Sequence, residues 1–501
     1  MGKPPMRWPK PSCLNNPLRP TPVFEEHTSV RGPRSPCEKL LLWQTGLLIV
    51  FSGWAFGGNI PWAHGYLAML GWLSLIILLI YRFKYQHNSR RILLRYFSWM
   101  LPVWASGLLY FWGLLNPALV TTRAGNLTLA WLNPPANPWL PVNINPEAAW
   151  LPWLLLGGIY STAIAIILIV ESRFIIHQLL RIGVLSTAIH ALFGFFLMLF
   201  ESEKLLGIFT VSHPHPFGLF PHPAHWAAYS LLWAGVVMAL LVNSGVKAFD
   251  RTKPADKLAY SGSFVVLTAT LLVSAPVVLW LGWLGLVGCT AIISGVFLYH
   301  QAGRQTIMLA TMLTTLGLCF IVATLAGTWA AHAREATHRN PLVNDLAFLS
   351  QDETKALRRD GWRAFEERPW TGWGQGSTPA ILSLFNQVDL TGDHYASPRS
   401  DLLQSLIEQG VLGTVVWWLL PLAVVGQMLT SRPPPPGYML GAVMLVAAVI
   451  MVFDFPLQSP AFLCGFWVVA GCCYRLNVLS RKEQTKRNRQ RTAISKITVT
   501  N

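Results

Sequence analysis

The chain has 501 residues, of which 53% are hydrophobic and only 12% charged, with 23 Trp and a mean hydropathy of +0.42. A soluble domain carries about twice that charged fraction, so a water-soluble globular enzyme is excluded. The net charge of +16 would suit a nucleic-acid binder, but the basic residues flank apolar segments and so report topology.

In chain order, residues 1–39 form a Pro-rich basic tail with no convincing signal-peptide cleavage site. About twelve apolar segments follow, each long enough to span the hydrocarbon as a helix. They lie near 40–57, 62–81, 93–115, 150–170, 174–200, 225–245, 258–276, 278–299, 306–330, 411–430, 437–454 and 459–475. Their continuous apolar character lacks the alternation of a barrel strand. The expected fold is all-α: a polytopic bundle, with helices 1–9 over 40–331 and helices 10–12 over 411–476. Residues 477–501 are expected to be a second basic tail, disordered like the first. Most of the 38 Lys and Arg residues then fall on one side, which places both termini in the cytoplasm. None of the seven cysteines lies in an outer loop, so no disulfide framework or Cys-ligated zinc is expected there.

One long loop, 332–410, departs from this pattern. It holds half of the 22 acidic residues and is expected to be periplasmic, between helices 9 and 10. "DETKALRRDGWRAFEERP" reads as an amphipathic helix with Leu357, Gly361, Trp362 and Phe365 on one face. Arg358, Arg359 and Arg363 either hold an anionic group or pair with Asp360, Glu366 and Glu367 on a solvated face. "TGWGQGSTP" is a tight glycine turn without the ending of a nucleotide-binding loop. Ser397 and Ser400 are candidate caps for a helix over 400–409, with Arg399 and His394 at its start.

Two further outer elements carry polar groups. "SHPHPFGLFPHPAHW" places His213, His215, His222 and His225 ahead of a span. The prolines forbid a regular helix and no carboxylate is near in sequence, so a metal site is disfavoured. No metal and no cofactor are expected. In "FDFPLQSP", Asp454 sits at an outer turn and reads as structural.

These elements, in this order, resemble the O-antigen ligase family of bacterial inner-membrane proteins, over residues 217–475. "FGLFPHPAHWAAY" is similar to a family element through His225, Trp226 and Ala227. "RRDGWRAFEERPWTGWGQG" is similar to another through Arg358, Trp362, Pro369, Gly372, Gly374 and Gly376. "SDLLQSLIEQGVLG" matches a third through Asp401, Gln404, Glu408, Gly410 and Gly413, and "FDFPLQSPAF" resembles the penultimate outer turn.

The resemblance implies glycan transfer from an undecaprenyl-diphosphate carrier to a glycan or lipid acceptor in lipopolysaccharide biosynthesis. Arginines would stabilise the departing diphosphate and a histidine would take the acceptor proton. The sequence departs from the family in two places. Arg399 falls where the family has its base histidine, and Arg cannot act as a base. Ser274, Ala275 and Pro276 replace the family's Ser-Arg-Gly run. His394 or His225 is therefore expected as the base, with Arg358, Arg399, Arg359, Trp362, Gly374 and Asp401 binding substrate. The expected partners are the lipid-linked glycan, its acceptor and membrane lipids, with no nucleic acid. Two other readings stay open: a glycan-binding or assembly member without catalysis, and a transporter, for which His190 is the clearest intramembrane ionisable residue.

Overall fold

The computed structural model describes residues 33, 35–85, 89–124, 127–132, 137, 140–198, 204–205, 209–210, 217–245, 254–274, 277–301, 351–386, 397–430 and 433–499. Helices dominate it. They are α1 (Pro36–Trp54), α2 (Pro61–Tyr85), α3 (Ser89–Trp99), α4 (Leu101–Leu114), α5 (Pro146–Ile169), α6 (Arg173–Met198), α7 (Pro223–Gly245), α8 (Pro254–Ser274) and α9 (Val277–Gln301). After residue 350 come α10 (Gln351–Glu367), α11 (Thr378–Phe385), α12 (Asp401–Trp417), α13 (Leu419–Thr430), α14 (Pro435–Phe453) and α15 (Pro460–Val499). Among the described residues, eight helices are long and apolar enough to cross a membrane. The chain is a multi-pass helical membrane protein.

The expected spans near 40–57, 93–115 and 258–276 are occupied by α1, by α3 with α4, and by α8, which are shorter or less apolar. The expected span 306–330 lies outside the described residues. Several boundaries differ from the sequence reading for identifiable reasons. The segment 93–115 is broken at Met100, because Pro102 lacks an N–H and its ring crowds the carbonyl four residues back. The segment 411–430 is broken at Trp418, three residues before Pro421. Residues 477–499 continue α15 as helix, which corrects the expectation of a disordered tail. The all-α expectation needs two additions in the connecting loops: a hairpin of β1 (Leu119–Ala124) with β2 (Leu127–Leu132), and a small one of β3 (Lys204–Leu205) with β4 (Phe209–Thr210).

Packing in the bundle follows membrane rules, where small residues let backbones approach and hydroxyls join helices. A Cβ on Gly71 of α2 would lie 2.4 Å from the backbone of Gly158 in α5, so these helices touch backbone to backbone. Nearby, Ser161 shares hydrogen bonds with Ser74 at 2.9 Å and Tyr96 at 2.8 Å. His190 of α6 is buried against Trp226 and accepts the Leu219 amide through Nε2 at 3.2 Å. It therefore anchors the loop that enters α7.

A second, smaller core lies at one end of the bundle. Ala364, Trp373, Ile381, Leu403 and Ile407 pack with Ala118, Val142 and Ile144 from the α4–α5 connection. The Trp373 indole donates to the Ala364 carbonyl at 2.7 Å. This core seats residues 351–386 and 397–410 against the membrane domain, and α12 passes directly from it into the bundle. The buried face of α10 is Leu357, Gly361 and Ala364; Trp362 is 49% exposed, correcting the face predicted from spacing. Phe365 packs at the edge of the small core.

Candidate functional site

The backbone of the glycine turn and of α12 explains how the site is built. Gly410 interrupts α12 with a φ of 63°. The carbonyls of Ile407 and Glu408 then accept from Trp373 and Gly374 at 2.8 and 2.9 Å. The Val411 and Leu412 amides, deprived of those helical acceptors, donate to Pro369 and Trp370 at 2.8 and 3.2 Å. These four displaced groups all find partners in the turn. The approach is too close for side chains: a Cβ on Gly410 would lie 2.3 Å from the Trp370 backbone, and one on Gly372 would lie 2.5 Å from Glu408. Gly374 is likewise a backbone contact, against Asn143.

The start of α12 is zipped to the turn between α14 and α15. Ser400 caps α12 by accepting the Leu403 amide at 3.3 Å, and its hydroxyl donates to the Val452 carbonyl at 2.8 Å. Asp401 donates its amide to the Asp454 carbonyl at 3.1 Å, and its buried carboxylate accepts the Leu457 amide at 2.7 Å. The helix C-terminal carbonyls of α14 lack intrahelical donors, and Arg358 supplies one. Its Nη2 donates to Phe453 at 2.7 Å and to the Arg399 carbonyl at 3.0 Å.

Arg399 is one of two non-glycine residues at positive φ among the described residues, at 51°. Such a conformation costs about 1–2 kcal/mol for a residue with a Cβ. Ser397 accepts its amide at 3.1 Å, and the guanidinium lies over the Phe455 ring, 5.4 Å from the centroid. The same ring receives His222 and His225 edge to face, at 5.3 and 5.1 Å, and the two imidazoles lie 4.8 Å apart. Arg358, Arg399, His222 and His225, from three separate sequence regions, therefore meet around the turn Asp454–Phe455.

The electrostatics are those of a partly buried cluster with surplus positive charge. Burial lowers the pKa of Arg358 and Arg399, and Asp454 opposes this; Arg358 lowers Arg399 further. Both remain cationic, as guanidinium does in proteins. Burial raises the pKa of Asp454, while the Phe455 amide, Arg399 and Arg358 pull it back. Two guanidiniums thus stand beside two carboxyls, Asp454 and Asp401, whose pKa values burial raises, an arrangement suited to an anion.

Not every residue singled out from sequence comes here. Arg358, Arg399 and His225 converge. Asp401 is buried in the joint beneath them, and Arg359 is exposed on another face of α10. Trp362 packs its ring on Phe365 at 5.2 Å, away from the arginines, and Gly374 belongs to the turn that supports α12. Arg363 reaches Asp360 at 3.8 Å, as the paired reading anticipated. His394, His213 and His215 lie outside the described residues. The sequence reading left Asp454 as structural, did not single out Phe455, and weighed His222 only as a metal ligand. The signal was present in "FDFP": an acid beside an aromatic at a turn facing the loop domain. Among the described residues, no group of three or more His, Cys, Asp or Glu is arranged to hold a metal ion.

Residues 262–418 match the family model described as O-Antigen ligase. The chain carries an O-antigen ligase family domain. No curated protein matches the chain. The matched region of the O-antigen ligase domain includes Arg358, the glycine turn, Arg399 and Asp401. His222, His225, Asp454 and Phe455 are brought to it from outside those limits by the fold.

Proposed function

We propose that this O-antigen ligase family protein transfers a glycan from an undecaprenyl-diphosphate carrier at the periplasmic face of a bacterial inner membrane. The wider proposal has about twelve spans, both termini in the cytoplasm and the loop 332–410 in the periplasm. The observation that carries it is the convergence of Arg358 and Arg399 with His222 and His225 around Asp454 and Phe455.

The chemistry follows from those groups. The acceptor hydroxyl attacks the anomeric carbon of the donor sugar, and the bond from that carbon to the diphosphate oxygen breaks. The electron pair leaves with the diphosphate, whose growing charge is met by guanidiniums already held in place. The hydroxyl proton passes to an imidazole, for which His225 is the described candidate and His394 the other. Arg399 stands where the family has its base histidine and takes the role of a phosphate ligand. Arg359, Trp362, Gly374 and Asp401 act further out: Arg359 and Trp362 on the exposed side of α10, Gly374 and Asp401 in the support of α12. The acceptor is a glycan or a lipid-borne sugar such as a lipopolysaccharide core.

The test is transfer in vitro with purified protein, an undecaprenyl-diphosphate glycan and a membrane extract supplying acceptor. Loss of transfer in Arg358→Ala and His225→Ala supports the reading. Donor binding without transfer by the unaltered protein would instead identify a glycan-binding member of the family, a reading favoured by the arginine at position 399. A transport role gains nothing from His190, whose Nε2 is engaged by the Leu219 amide.

A further inference from the structure

At the end of the bundle opposite Arg358, α15 leaves the apolar core and changes character within one turn. Leu476, Leu479 and Ser480 are buried, whereas residues 481–486 are exposed. A groove of about 550 Å³ opens at this boundary. It is lined by the half-buried Tyr474 and Val478 and by the exposed Arg481, Lys482, Lys486 and Arg489, and Gln427 of α13 borders it. Positions three and four apart share a helix face, so the four cations continue the stripe begun by Tyr474 and Val478.

Charge segregation across α15 sharpens this. The acidic residue of the segment, Glu483, is turned away and pairs with Arg173 of α6 at 2.8 Å. Arg173 also donates to Ser480 at 3.0 Å, which fixes the rotation of α15 as it exits. Among the described residues, no carboxylate lines the groove. The aromatic lining is held in turn, since Tyr474 packs edge to face on Trp99 of α3 at 5.2 Å.

From this placement we infer that the α13–α15 groove binds the phosphate headgroup of an anionic membrane lipid. The cations take the phosphate, and Tyr474 and Val478 receive the first carbons of the lipid tail. The argument rests on three features together: a cavity, a rim whose charged residues are all cations, and a position where helix surface passes from apolar to charged. Basic groups at that level each add to the affinity for anionic lipid, and long Lys and Arg side chains reach the headgroup layer while their stems stay on apolar surface. A free inorganic phosphate shares the headgroup chemistry but has no use for the apolar lining. The groove is distinct from the arginine and histidine cluster at the other end, so it stands or falls independently of the transfer reaction.

The test is native mass spectrometry of the full chain in detergent, titrated with phosphatidylglycerol, phosphatidylcholine or inorganic phosphate. Phosphatidylglycerol should be retained at least about tenfold more tightly than phosphatidylcholine, and millimolar phosphate should not displace it. Lys486→Gln should weaken retention about fivefold, and Lys482→Gln/Lys486→Gln/Arg489→Gln by about a hundredfold. Lys257→Gln, at an exposed site on α8, should leave it unchanged. Lys482, Lys486, Arg489 and Lys257 are all exposed, so unaltered thermal unfolding is the folding control. Equal retention of the two lipids, an unaffected triple variant, or displacement by phosphate alone would overturn the assignment.

Discussion

Arg358 and Arg399 stand 41 residues apart in the chain and are joined by one hydrogen bond, from the Nη2 of the first to the carbonyl of the second at 3.0 Å. That bond orients Arg358 and fixes the backbone that presents Arg399. Arg358→Lys should therefore lose more than a charge would suggest. An ammonium keeps the point charge, but the lysine nitrogen ends one bond short of the position from which Nη2 serves both Phe453 and Arg399. Transfer is expected to fall about tenfold or more in Arg358→Lys and to be abolished in Arg358→Ala, measured as glycan moved to acceptor per unit of folded protein.

Arg399 separates stability from activity. Its φ of 51° is easy for glycine and costly for any residue with a Cβ. Arg399→Gly should leave the protein as stable or stabilise it by about 1 kcal/mol, while donor binding falls because the guanidinium over Phe455 is gone. Thermal unfolding and a donor-binding titration on the same preparation would show the two effects moving in opposite directions.

Asp454 gives a pH signature. Its folded-state pKa is raised by burial despite two neighbouring arginines, so the fold holds the proton more tightly than the unfolded chain does. Stability from this group is greatest below the ordinary carboxylate range and declines as pH rises through the raised folded value. Asp454→Asn mimics the protonated form. Its unfolding temperature should match the unaltered protein below about pH 4 and exceed it increasingly toward neutral pH, in the absence of substrate.

Gly410 tests the architecture beneath the site. An alanine there would combine an unfavourable positive φ with a Cβ 2.3 Å from the Trp370 backbone. Gly410→Ala should cost about 2–4 kcal/mol and release the glycine turn, read as a lower unfolding temperature and as proteolysis within 369–376.

His190 should behave as a structural residue. Replacing it with alanine removes the acceptor of the Leu219 amide and packing against Trp226. The expected cost is about 1–3 kcal/mol of stability. Transfer per folded molecule should be nearly unchanged, whereas a proton-carrying role would abolish activity at unchanged stability.

The sequence alone determined the membrane class, because length and continuity of apolar runs leave only helices as a way to satisfy the backbone in lipid. It pointed to the segment leading to α12 as the place for polar chemistry, since half of the 22 acidic residues fall in the one long outer loop that precedes it. It also narrowed the α12 cap to Ser397 or Ser400, and it showed the resemblance to O-antigen ligases, whose motifs are local in sequence. Other features depend on contacts between distant segments, which no local pattern encodes. The breaks near Met100 and Trp418 arise where proline meets a packed helix. The role of Gly410 depends on the turn 369–374 crossing it, and Trp362 faces outward because Ala364 takes the buried position.

The site itself was decided by tertiary structure. Asp454 looked like a solvated turn until α12 was docked on it, and the fold brings His222, His225 and Arg399 to the same Phe455 ring. Residue types and their local spacing are written in the chain. Which of them share one partly buried, low-dielectric space, and so alter one another's charge, is settled only when the helices pack.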